Sequence, residues 1–106
     1  MMFYVKVELK KLILDVEALP PSGARDGLHA KATSALAKVE QGIDRYLLGD
    51  DPPASNHFET TQNKLGAFLN QIEAQRGKAL TDAQADDLAA KAQLIIDHID
   101  VILLLI

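Results

Sequence analysis

The chain has no cysteine, so metal ligation and proton transfer would fall to its histidines, His29, His57 and His98, and to its aspartates and glutamates. The lack of cysteine also excludes disulfides, zinc-thiolate sites and a thiol nucleophile. The three histidines belong to three different predicted helices, and a metal centre would require their faces to converge. No His-x-x-x-His spacing occurs, and His98, set between Ile96 and Ile99 with Asp97 and Asp100 nearby, reads as a boundary histidine. Asp44, Asp50 and Asp51 offer hard oxygens to calcium, but they lack the ligand alternation of an EF-hand loop and read as a solvated turn. Neither the Asp86 and Asp87 pair nor Glu8 with Glu17 shows the unequal environments that an acid-base dyad needs. No catalytic residue, metal or cofactor is therefore expected. The polar residues of most interest are Asn70 and Gln71, which interrupt an apolar helix. Such an amide either holds a ligand or partner or satisfies backbone groups, as buried polar groups must be paired. The second role is the expectation, with Asn70 bonding backbone near the connection between the second and third helices.

These groups depend on the elements that carry them. The clearest signal runs from Leu65 to Thr81. Leu65, Phe68, Leu69 and Ile72 are spaced three and four apart, as on one face of a helix. Gly77 stops that helix, with Arg76 suited to the negative end of its dipole. Thr81 starts the next one, and Gln84 completes a capping box.

Upstream, Val5, Leu9, Leu12, Ile13, Val16 and Leu19 fit a helix over 5–19. The opening residues also alternate in the manner of a strand, so residues 1–8 stay open between helical and extended. Pro20-Pro21-Ser22-Gly23 ends this element. A second helix is predicted over 25–48, with Leu28, Ala32, Ala35, Leu36 and Val39 inward and Gly42 as a weak point beyond which Ile43, Tyr46 and Leu47 restore the spacing. Gly49 to Pro53 reads as a loop. A third helix over 55–76, capped by Ser55, and a fourth over 81–104, carrying Ala85, Leu88, Ala89, Ala92, Ile95, Ile96, Ile99 and Ile102 on one stripe, complete the chain. Helices joined by short connections run antiparallel. The predicted fold is therefore all-α, an antiparallel up-and-down four-helix bundle, and residues 1–106 form a single domain.

Composition agrees with one folded domain: 106 residues can bury a core, and 48% hydrophobic with 25% charged residues is globular rather than disordered. A net charge of −4 argues against a nucleic-acid backbone as partner, because that contact needs clustered cations. No segment approaches the ~20 apolar residues of a membrane span. The opening MMFYVKVELKK holds no apolar run of signal-peptide length, so an exported domain would take its signal from a longer precursor. The end, Val101 to Ile106, is apolar all round and includes Leu104 and Leu105. A single bundle cannot bury every one of these side chains, and a homodimer through this tail is expected.

The stretch FLNQIEAQRGKALTDAQADDLAAKAQLII resembles FIMAH, a helical domain of bacterial secreted and surface proteins. The resemblance rests on Ala67 to Ile72, then Gly77 and Lys78, then Leu80 and Thr81, and then Ala85, Leu88, Ala89 and Ala92. Leu28, Lys31, Ala35, Leu36 and Gly42 are similar to that family's second helix, and Leu9 to Leu19 to its first. The apolar VILLLI end lies beyond its pattern. What the resemblance implies is a noncatalytic interaction or spacer module of a bacterial extracellular or cell-surface protein, partnered by a protein or by domains of its parent. The alternative is a self-contained cytoplasmic helical protein that acts by self-association or by binding a protein partner. Asn70, Gln71, Gly77, Thr81, Val101, Leu104 and Leu105 are the residues with an expected structural or interaction role.

Overall fold

Each helix forms because its apolar residues recur with helical spacing, so that a single stripe leaves water when the four elements meet. The computed structural model describes all 106 residues and contains α1 (Met2–Glu17), α2 (Gly23–Leu47), α3 (Asp51–Gln75) and α4 (Asp82–Leu105), with no strand. Residues 1–8 are thus settled as helix from Met2 onward. The alternation at Phe3 to Leu9 has no strand to pair with, and the buried residues of α1 are Val5, Leu9, Leu12 and Val16, at spacings of four and three.

The third helix begins earlier than the sequence suggests. Asp51 opens α3, and Pro52 and Pro53 lie in its first turn rather than in a loop; Asp50 is the N-cap residue and Ser55 lies inside. The physical reason is that the first turn has no intrahelical partners for its amides, so a residue without an N–H loses nothing there, and the proline ring presets a helical φ. The α2–α3 connection is consequently only Leu48 to Asp50, short enough to force the two helices antiparallel.

Consecutive helices pack on each other and α4 returns to α1, while the diagonal pairs do not meet. The chain is therefore an all-α, antiparallel, up-and-down four-helix bundle. It is a rod of 44 × 20 × 18 Å, with a core of 21 buried hydrophobic residues drawn from all four stripes and from Leu80. Phe58, Phe68, Leu65 and Ile72 of α3 are fully covered, whereas Leu69 is only half-buried at the edge of the core. Gly42 lies against the Phe58 ring, where a Cβ would approach within 3.1 Å. The glycine that weakens α2 locally thus allows α2 and α3 to close on each other. Thr61 is the one buried polar residue outside the apolar set, and its hydroxyl donates to the His57 carbonyl at 2.9 Å.

Between α3 and α4, Gly77 adopts the left-handed conformation with φ +75°. Its amide donates to the Leu80 carbonyl at 2.8 Å, and the Leu80 amide donates to the Gln75 carbonyl at 3.1 Å, which turns the chain and seats Leu80 in the core. At Thr81 the hydroxyl accepts from the Gln84 amide at 3.1 Å and the Gln84 side chain accepts from the Thr81 amide at 2.9 Å. This capping box satisfies the orphan donors of the new helix.

Candidate functional site

The residues with chemical potential are separated and tied down in pairs. His29 lies 2.9 Å from a Glu17 oxygen where α2 begins. His98 lies 2.8 Å from Glu8 across the α1–α4 face, with the Tyr4 ring 5.6 Å away. His57 stands on α3 in the first turns. No three His, Asp or Glu side chains gather in one place. Asp50 pairs with Arg45 at 3.4 Å, and Asp51 opens α3. Asp86 accepts from Arg76 at 2.8 Å, and Asp87 accepts from Lys91 at 2.9 Å. The candidate dyads are therefore partners of cations on neighbouring turns. A shallow polar cleft lined by Glu17, Arg25, Asp26 and His29 lies at the α1–α2 end of the rod. There Arg25 Nη2 donates to the Glu17 carbonyl at 3.0 Å, while its buried Nε has no hydrogen-bond partner.

The amide expectation is corrected by one residue. Asn70 is exposed, and Gln71 is the side chain that reaches across. Its Nε2 donates to the Ala24 carbonyl at 3.1 Å and its Oε1 accepts from Lys31 Nζ at 2.6 Å. The bonded backbone belongs to the start of α2, at the opposite end of the rod from the α2–α3 connection. In an antiparallel pair the C-terminal part of α3 lies beside the N-terminal part of α2, and this determines which backbone the amide can reach. Gly27 makes room for it, since a Cβ there would fall 2.5 Å from Gln71 Nε2. Gln71 is thus a packing device between α2 and α3.

The other end of the bundle is different. It brings together the start of α1, the end of α2 and the end of α4 around an open cavity of about 280 Å³. Every lining residue is apolar: Met1, Met2, Phe3, Ile43, Tyr46, Leu47, Ile102, Leu105 and Ile106. Ile43 and Ile102 are nearly fully buried and form its floor. Of the lining residues, Met1, Phe3, Tyr46, Leu47 and Leu105 are 40 to 75% exposed. At ~200 Å² for a large side chain, these leave on the order of 600 Å² uncovered, the upper end of the largest apolar patch on a typical monomer.

The sequence marks Val101, Leu104 and Leu105 as part of such a surface. It gives no sign that Met1, Phe3, Tyr46 and Leu47 complete it. Tyr46 and Leu47 continue α2 with core-like spacing, yet they project past the bundle's last layer and remain exposed. No helix is long and apolar enough to cross a membrane. Comparison with protein-family models, curated proteins and solved structures gave no match for this chain.

Proposed function

We propose that the chain is a noncatalytic helical interaction module that docks through the apolar end of its bundle. The observation that carries this reading is the end cavity, lined by nine apolar residues and framed by exposed Leu104 and Leu105. An open cavity lined only by apolar side chains, most of them exposed, fits a contact site. Catalysis would need polar groups converging on a cavity; here the end cavity is apolar, and the ion pairs lie elsewhere, several of them between helices. The FIMAH resemblance supports a setting in a bacterial extracellular or cell-surface protein, with the module serving its parent's domains or a protein partner. A cytoplasmic protein working on its own is the competing setting.

Self-association is the second reading, favoured by one feature: exposed Leu104 and Leu105 stand beside a cavity that the same residues of a second copy could enter about a two-fold axis. Site-specific photo-crosslinking in the source cell tests the docking surface. A crosslinker at position 104 should give protein adducts, while one at exposed Lys78, on the opposite end, should not. Equal yields from both ends, or none from position 104, would remove the apolar end as the contact surface.

A further inference from the structure

We infer that the occupant of the apolar end is a basic amphipathic segment of another protein, with an apolar side chain in the cavity and Lys or Arg side chains facing the acidic half of the rod. This rests on the reading of that end as the contact surface and names the chemistry of what it takes. Five exposed acids belong to the half of the rod that ends in the cavity: Asp44 late in α2, Asp50 in the α2–α3 connection, Asp51 at the start of α3, and Asp97 and Asp100 late in α4. Against them stand only Lys6, Lys38 and Arg45, of which Lys6 pairs with Glu40 and Arg45 with Asp50, each at 3.4 Å. The chain's formal charge of −4 is therefore concentrated around its apolar end. Lys31, Arg76, Lys78 and Lys91 lie toward the opposite half and offset the acids there.

Charge decides between occupants that the apolar surface alone would accept equally. A second copy docked end to end would bring two acidic halves together, and like charges across an interface are unfavourable. An anionic membrane surface is repelled for the same reason. A helix with an apolar face and basic flanks satisfies both the cavity and the acidic charge of this half, in the helix-in-groove manner of recognition. The cavity's size agrees: at about 280 Å³ it falls below the usual ~300 to 1,000 Å³ of small-molecule pockets and is of the scale of anchoring side chains.

The test uses the whole chain and three labelled helical peptides that share one leucine and alanine face and carry lysine, glutamine or glutamate on the other. Fluorescence anisotropy should find the lysine peptide bound about tenfold more tightly than the glutamine peptide, a difference of ~1.4 kcal/mol, with the glutamate peptide weakest. The preference should fade in ~1 M salt, where the screening length is about 3 Å. It should also fall in the triple variant Asp44→Asn, Asp51→Asn, Asp97→Asn, while Leu105→Asp should abolish binding of all three peptides. Equal affinities that Leu105→Asp abolishes would overturn the basic partner and leave the apolar end as a contact surface. Lysine-peptide binding that Leu105→Asp leaves unchanged would overturn both. No binding of any peptide, or a sedimenting dimer broken by Leu105→Asp, would also overturn the basic partner, the dimer identifying the second copy instead. Circular dichroism of each variant checks that the helices are intact.

Discussion

Gln71 joins two helices with one amide, donating to the Ala24 carbonyl and accepting from Lys31. Its replacement by alanine leaves a half-buried carbonyl and ammonium without their partner, which should cost about 1 to 2 kcal/mol in urea denaturation. Asn70→Ala should stay within about 0.5 kcal/mol because the side chain is exposed. The reverse order of costs would place the polar contact on the wrong residue. Gly27→Ala should act through the same bond, since its Cβ would displace the Gln71 amide. Combined with Gln71→Ala it should therefore cost less than the sum of the two single changes. Sequence shows that an amide pair interrupts the α3 stripe but not which member turns inward. Adjacent residues differ by about 100° around a helix, and the choice depends on where α2 lies.

At the scale of elements, the α3–α4 turn holds the most concentrated set of local contacts. Arg76 joins Glu73 at 2.9 Å, Asp86 at 2.8 Å and Asp82 at 3.6 Å, linking the end of α3 to the start of α4. Its hydrogen bond holds the Glu73 carboxyl below its ordinary value of 4.5. A depressed carboxylate stabilises fully above its unfolded value, and that contribution is lost as pH falls through the folded value. The melting temperatures of the parent chain and Glu73→Gln should therefore differ at neutral pH and converge below pH 4.5. The gap should be small, because solvent screens exposed pairs; a gap that widens in acid would contradict the assignment. The hydrogen bonds that Lys91 donates to Asp15 and then Asp87 raise it above its ordinary value of 10.5, so its contribution is present at neutral pH and lost only in stronger alkali.

The same elements give a packing prediction. Phe68→Ala should cost about 3 to 5 kcal/mol, because the ring is fully buried, and Leu69→Ala distinctly less, because it is half-buried. Comparable losses for the two by chemical denaturation would mean that α3 is rotated from this facing. Thr81→Ala should remove the capping box for about 1 kcal/mol. The turn is legible in sequence because glycine, threonine and glutamine act within a few residues of one another. The start of α3 is not, since two prolines read equally as a loop or as a first helical turn until the partner helix fixes which.

For the whole molecule, the decisive feature is the asymmetry between its ends. One end is closed by the turn around Leu80 and by the packed α1–α2 connection, while the other leaves Leu104 at 85% and Leu105 at 75% exposure. Replacing both by aspartate should change stability by no more than about 0.5 kcal/mol per site, as exposed positions do, while lowering the binding of an apolar dye. A loss of several kcal/mol in thermal unfolding would instead place these leucines in the core.

Sequence by itself determined the fold class, the stripes, the Gly77 stop and the Thr81 restart, because each depends on residues within a turn or two of one another. It also marked the apolar tail. Only the tertiary structure decided that Gln71 meets Ala24 and Lys31, that Gly27 and Gly42 mark close approaches of α2 to α3, and that Met1, Phe3, Tyr46 and Leu47 join Leu104 and Leu105 at one end. Those contacts join residues distant in sequence, and they depend on helix register and rotation, which a periodic pattern leaves free until the four helices pack.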